Sequence, residues 1–303
     1  FFQEDIDLKA FNAQSVVVDP KKTKRFHDVF AEDKNDQIDA YYIADYLRVG
    51  HYSVGIVRQE NYIALQRLTR SRYEIVQSLV RAKQHFIENL YYKLNKLVIS
   101  DELNTYTSIF GSTMMQLLTE DLTTDDLLTI SINDLTDYLA KHGRGRFADP
   151  EALAKTIQKA VRSSYRLDKV VANSVDAVLS VYAEEIKAFQ KMIKDLDKSI
   201  EKVVKVTDDE QILRSIPGIG PVYAVGILAE IGQIDRFDNE AKLAKYAGLS
   251  WREKQSGSYT SDNTPLKRTG NAYLRYYLVE AANLVRTHDP VFGEYYQRKY
   301  KEV

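Results

Sequence analysis

Apolar residues recur at helical spacing along most of the chain. Between Tyr62 and Leu97, the residues Leu68, Ile75, Leu79, Ala82, Phe86, Leu90, Leu94 and Leu97 fall on one stripe, which predicts a long amphipathic helix. A second stripe, over 170–206, is more regular. Val175, Val178, Tyr182, Ile186, Phe189, Ile193, Leu196, Ile200 and Val203 are separated by threes and fours. That is the spacing of a coiled-coil seam, sustained for about four heptads. It can pair antiparallel with the first long helix or with a second chain. The segment between them, 101–140, carries short helix signals, and "KHGRGRFADPEAL" (141–153) reads as a glycine turn followed by a capped, proline-initiated helix. Towards the N-terminus, "DQIDAYYIADYLRVG" places Ile38, Tyr42, Ile43, Tyr46 and Leu47 at helical spacing, with Gly50 just past the end. The period changes at "QSVVVDP" (14–20), a β-branched run closed by Asp-Pro that predicts a buried parallel strand. "KKTKRFHDVF" follows as a basic helix or turn.

These elements predict a mainly α chain in three parts. Residues 1–57 read as the closing part of an α/β domain. Residues 58–207 form a helical coiled-coil domain with an insert at 101–140. Residues 208–303 form a C-terminal domain that opens on "ILRSIPGIGPVYAVGILAEIG" (212–232). The chain opens on Phe1 in what reads as the end of a helix, which points to further sequence upstream.

Composition narrows the chemistry. Of 303 residues, 44% are hydrophobic and 28% charged, an ordinary soluble balance, and no run of eighteen apolar residues predicts a membrane span. Cysteine is absent, which excludes disulfides, thiolate catalysis and cysteine-held zinc. The five histidines show no ligand spacing, so a metal would need hard oxygen donors, which suits Mg²⁺ or Mn²⁺. The net charge is only −1, but it is segregated. Residues 101–140 hold eight acids and no Lys or Arg, whereas 58–98 and 141–169 each hold eight bases against three acids. Basic faces of this kind favour an anionic polymer as partner.

Three motifs can carry that chemistry. In "IPGIGP", Gly218 and Gly220 allow positive φ and close backbone approach. Exposed amides at such a turn can hold a phosphate without reading a base. The motif resembles the helix-hairpin-helix of DNA repair and recombination proteins; a tight turn between core helices is the alternative. In "GLSWREKQSGSYTSDNTPLKRTGNAYLRYYLVEAANLV" (248–285), a polar loop is flanked by Arg252, Lys254, Lys267, Arg268 and Arg275, candidate phosphate contacts. Ser256, before Gly257, is a candidate nucleophile beside cations that would stabilise a phosphodiester transition state, with Ser258 and Ser261 as competitors. In "KNDQIDA" (34–40), Asp36 and Asp39 share one helix face with Cβ atoms about 5–6 Å apart. They suit part of a Mg²⁺ site, or equally two first-turn acids complementing the helix dipole. The 21 tyrosines read as packing residues by default.

Taken in order, "SVVVDPKKTKRFHDVFAEDKNDQIDAYYIADYL", a long helical hairpin, "IPGIGPVYAVGILAEIG" and "KYAGLSWREKQSGSYTSDNTPLKRTGNAYLRYYLVEAA" resemble insertion-sequence transposases of the one-ten group, the DEDD or bridge-RNA-guided recombinases. The resemblance implies an N-terminal domain of ribonuclease H-like fold, similar to the resolvase RuvC, then a coiled coil and a C-terminal transposase domain with a helix-hairpin-helix. It matches Asp36 and Asp39 to the last two of four Mg²⁺-binding (or Mn²⁺-binding) carboxylates. The first Asp and the Glu are expected upstream of Phe1, which would leave this chain alone inactive. It matches Ser256 to a serine that attacks DNA. It further implies DNA and a structured guide RNA as partners, a homo-oligomer built through the coiled coil, and a cytoplasmic, nucleoid-associated setting in a bacterium or archaeon. The rival readings are a non-catalytic nucleic-acid-binding module and a metal-only RuvC-like nuclease.

Overall fold

The computed structural model describes residues 10–11, 16, 18, 20–30, 35–50, 60–204, 209–251, 255–256, 259–260, 265–267 and 269–302, with backbone alone at 209, 255, 256, 259 and 260. The chain divides into two compact units, residues 1–63 with 227–283, and residues 64–226 with 284–303. Both are mainly helical, as the apolar periodicity predicts. Among the described residues no helix is long and apolar enough to cross a membrane.

Within the first unit, α1 (Pro20–Phe30) and α2 (Asp36–Arg48) pack through aromatic rings. Phe26 meets Tyr46 edge-on at 5.4 Å, Phe30 stacks on Tyr42 at 6.2 Å, and the Tyr42 hydroxyl donates to the Phe30 carbonyl at 3.2 Å. Two of the numerous tyrosines are therefore packing residues, with the polar end satisfied as such residues require. The strand predicted at 14–20 lies largely outside the described residues.

The second unit is built on α3 (Glu60–Val98) and, after several short helices, α9 (Lys169–Val204). Arg72 Nε donates to Asp197 Oδ1 at 2.6 Å, the His85 ring stacks on Tyr182 at 5.5 Å, and Lys93 Nζ forms an ion pair with Asp176 at 2.6 Å. Partner numbers fall as the α3 numbers rise, so the two helices run antiparallel within one chain. Periodicity alone had left pairing within and between chains equally open. The buried edge of α9 also differs from the predicted seam. Val175, Leu179, Ala183 and Ile186 are buried, whereas Val178 is 39% exposed. The reason is that α9 also contacts the π-helical turn Leu117–Asp121, so its apolar face is wider than a two-helix seam.

The insert between the long helices contains α4 (Asp101–Tyr106), α5 (Ser112–Gln116), the π turn, α6 (Thr124–Thr129) and α7 (Ile132–Gly143), followed by α8 (Pro150–Ser163). Its acids have local causes. Ser100 caps α4, Thr123 and Asp126 form a reciprocal capping box on α6, and Ser131 caps α7. Asp101, Glu102, Asp125, Asp126 and Asp134 consequently occupy first turns, where negative charge complements the helix dipole. Glu102 and Glu120 also pair with Lys159 and Lys187. The core joins Phe86, Leu90, Leu94 and Leu97 of α3 to Leu103, Met114, Leu117, Leu135, Leu139, Leu153 and Ile157. α3 kinks at Leu94 (φ −138°, ψ 61°) with no proline nearby. The Lys96 N–H donates instead to Ser164 Oγ at 3.1 Å, and Asn95 Oδ1 accepts from the Tyr165 amide at 3.1 Å. Side-chain insertion into the helical ladder is a recognised cause of such a kink.

Candidate functional site

At the start of α2, Asn35 is the N-cap and its Oδ1 accepts from the Ile38 amide at 2.9 Å. Asp36 and Asp39 therefore sit in the first turn, Asp36 exposed and Asp39 half-buried. First-turn acids complement the helix dipole, and the capped turn sets the two carboxylates three residues apart on the same end of α2. Among the described residues no group of three or more metal-ligating side chains gathers around them. One neighbour was not foreseen. His27 of α1 is buried, its Nε2 has no hydrogen-bond partner among the described residues, and that atom lies 3.6 Å from Asp39 Oδ1. Mg²⁺ is commonly held by one or two carboxylates, its other ligands being water and substrate phosphate. The pair therefore fits a divalent ion as part of a shell.

Ser256 lies on a hairpin, where the sequence suggested a polar loop. β1 (Gln255–Ser256) pairs antiparallel with β2 (Tyr259–Thr260), Ser256 opposite Tyr259. Further back, Trp251 and Leu266 pair as an isolated bridge, and the Lys267 amide donates to the Ser250 carbonyl at 2.8 Å. The hairpin thus places Ser256 at its tip, next to Gly257. Arg252, Lys254, Ser258, Ser261 and Arg268 lie outside the described residues. Lys267 is half-buried at the base of the arms. Arg275, on α13 (Ala272–His288), directs Nη1 to the Ala247 carbonyl at 3.0 Å, at the end of α12 (Glu240–Ala247). At least part of its guanidinium therefore holds a helix C-terminus.

Two turns lock behind the hairpin. Gly248 (φ +73°) ends α12, and a Cβ there would stand 2.8 Å from the Thr269 carbonyl oxygen. Gly270 (φ +140°) faces the Tyr246 carbonyl oxygen at 2.5 Å from an added Cβ. Asn271 caps α13, its Oδ1 accepting from the Tyr273 and Leu274 amides at 3.1 Å each. Its Nδ2 donates to Glu230 Oε2 at 2.6 Å and to the Tyr246 hydroxyl at 3.2 Å. Glu230 is fully buried at the end of α11 (Pro221–Ile231). The sequence signal for it is a lone carboxylate in the apolar run "VGILAEIG".

The two glycines of "IPGIGP" differ. The turn joins α10 (Asp209–Arg214) to α11, with the Ile219 amide donating to the Ile216 carbonyl at 3.0 Å. Gly218 (φ +94°) lies against the backbone of α13, where a Cβ would be 2.7 Å from the Leu284 carbonyl carbon. At Gly220 an added Cβ meets nothing within 4 Å. Gly218 is thus required for packing, and only Gly220 faces open space.

Comparison with known proteins places these pieces. A DEDD transposase family matches residues 8–92, and the Transposase IS116/IS110/IS902 family matches residues 210–297. Between them they cover more than half of the chain. This chain belongs to the IS110 group of insertion-sequence transposases. It is 26% identical to the uncharacterised protein of insertion element IS116 of Streptomyces clavuligerus, over 97% of this chain and 72% of that protein. It is 28% identical to the uncharacterised protein of IS900 of Mycobacterium paratuberculosis, over 89% of this chain and 66% of that protein. A shorter match, 29% identical over 37% of this chain and 30% of the relative, is to the transposase of IS1111A from Coxiella burnetii.

For this IS110-group chain, the DEDD match contains His27, Asp36 and Asp39, and the C-terminal match contains Gly218, Gly220, Glu230, Ser256, Lys267, Asn271 and Arg275. Sequence reading missed His27, because it reaches Asp39 from a different helix. It also missed the Glu230–Asn271 contact, because that spans two helices and the hairpin between them.

Proposed function

We propose that this transposase recombines DNA through Ser256, with Asp36 and Asp39 contributing to a divalent-ion site. The observation that carries the reading is the presence of both family blocks in order in one chain, with Ser256 at the tip of a two-stranded hairpin. Ser256 Oγ attacks a phosphodiester phosphorus. The Oγ–P bond forms as the bond to a sugar oxygen breaks, that oxygen gains a proton, and the hydroxyl proton passes to a base. Reversal on a second strand end rejoins the DNA. A divalent ion, when bound, would supply positive charge for the developing phosphoryl charge. Lys267, Arg275 and the flanking Arg252, Lys254 and Arg268 would steady the phosphate, and the amides near Gly220 would hold backbone phosphates in the manner of a helix-hairpin-helix. A structured guide RNA, an oligomer assembled through the long helices, a RuvC-like N-terminal fold and action on the bacterial or archaeal nucleoid complete the proposal.

The test is a trapped covalent protein–DNA adduct, formed by the full-length protein of its gene on a nicked element-end substrate with Mg²⁺. The adduct is expected to disappear in Ser256→Ala and to persist in Ser258→Ala and Ser261→Ala. An adduct that survives Ser256→Ala would move the nucleophile elsewhere. DNA cleavage with no adduct in the wild type would favour a metal-only nuclease, and binding with neither a binding module.

A further inference from the structure

We infer that His27 supplies a nitrogen donor to the divalent-ion site founded on Asp39, turning a carboxylate site towards Mn²⁺ in preference to Mg²⁺. The inference rests on the proposed metal role of Asp36 and Asp39. The His27 side chain is 10% exposed, and its Nε2 is buried with no hydrogen-bond partner among the described residues. An imidazole nitrogen left in that state costs free energy unless something occupies it. What it faces is Asp39 Oδ1, 3.6 Å away. That separation is beyond hydrogen-bond length. Two donors each about 2.1 Å from one ion, however, stand between about 3.0 Å (cis) and about 4.2 Å (trans) apart.

The rest of the ring is already constrained. Its edge meets the Tyr42 ring at 5.2 Å and 80°, and Nδ1 lies 3.6 Å from Asp28 Oδ1. At that length the Asp28 contact is no hydrogen bond either, so what holds the ring's orientation is its edge contact with Tyr42. Asp39 is fixed from its own side, since its amide donates to the Asn35 carbonyl at 2.9 Å in the capped first turn. The result is one hard oxygen and one softer nitrogen, on two helices held together by Phe26, Phe30, Tyr42 and Tyr46. Imidazole binds transition ions far better than Mg²⁺, whereas carboxylates serve both.

Mn²⁺ alone is the probe. Electron spin-echo modulation of the Mn²⁺-loaded full-length protein is expected to show ¹⁴N coupling from a directly bound imidazole. His27→Gln should abolish that coupling and weaken Mn²⁺ binding about tenfold or more, with a smaller change for Mg²⁺. His85→Gln, on an exposed histidine, should change neither. If His27→Gln fails to fold, ¹⁵N-histidine labelling of the wild type reads the same bond, by replacing the ¹⁴N frequencies. Mn²⁺ that binds without nitrogen coupling, yet is lost in Asp39→Asn, overturns the role of His27 and leaves the carboxylate reading standing. Nitrogen coupling that survives His27→Gln likewise overturns it. Mn²⁺ binding indifferent to Asp39→Asn overturns both.

Discussion

Asn271 Nδ2 donates to Glu230 Oε2 across 2.6 Å, and the accepting carboxylate is fully buried. The same side chain caps α13 and reaches the Tyr246 hydroxyl, so one amide ties α11, α12 and α13 together. Asn271→Ala removes a cap, worth about 1 kcal/mol, and takes a donor from a buried side chain, worth about 1–3 kcal/mol. A loss of about 2–4 kcal/mol is expected in urea unfolding, with faster hydrogen exchange at the Tyr273 and Leu274 amides. Asn271→Asp keeps the cap but replaces the amide donor with an acceptor facing Glu230 Oε2, and should be the more damaging change.

The two glycines of the α10–α11 turn separate packing from binding. Gly218→Ala combines a φ of +94° with a Cβ 2.7 Å from the Leu284 carbonyl carbon, and should cost about 2 kcal/mol or more. Gly220→Ala has open space around it and should change stability by less than about 0.5 kcal/mol. Thermal unfolding checks both. If the turn holds a DNA phosphate, Gly220→Ala should weaken DNA binding at an unchanged melting temperature, a combination Gly218→Ala cannot produce.

Arg72 and Asp197 report on the long hairpin. Their hydrogen-bonded ion pair is partly exposed, so a double-mutant cycle with alanines should give a coupling of about 0.5–1 kcal/mol. Because both residues belong to one chain, the coupling should not vary with protein concentration. A coupling that grows with concentration would show that the helices pair between chains.

The capping box of α6 gives an acid-side signature. Hydrogen bonds from the Thr123 hydroxyl (2.6 Å) and amide (2.9 Å) to Asp126 Oδ2 hold that carboxyl below its ordinary range, the hydroxyl bond foremost. A carboxyl with a lowered folded-state pKa stabilises the fold fully above its unfolded value and loses that contribution as pH falls through the folded value. The box's support for α6 should therefore begin to weaken as pH falls into the ordinary aspartate range and be gone once pH has dropped through the lowered folded-state value. A ¹³C titration of the Asp126 carboxyl checks this, and in Thr123→Ala its midpoint should move back up.

How much was legible depended on chain separation. The helix over Asp36–Arg48 follows from its apolar spacing and Gly50 beyond its end, both local signals, whereas its cap, Asn35, was shown only by the structure. The kink at Leu94 was not legible, because its cause is Ser164, a distant residue that takes the Lys96 amide. Its neighbourhood of glycine and bases made Ser256 one of three candidate serines, and only the family resemblance singled it out. Its hairpin was not foreseen, since two-residue strands carry too little alternation to register. The seam of α9 was found but placed with Val178 inside, because the turn at 117–121 that widens its buried face lies outside the helix's own pattern.

The sequence by itself determined the long helices, the capped start of α8, the order of the family blocks and the placing of Asp36 and Asp39 three apart at the head of one helix. Those depend on residues within a turn or two of one another, where backbone geometry dictates proximity. Only the tertiary structure decided that α3 and α9 run antiparallel in one chain, that Gly218 is pressed against a helix backbone, and that His27 faces Asp39. Those are contacts between elements, set by which apolar faces are buried together, and no local pattern records which polar atom that burial will leave facing another.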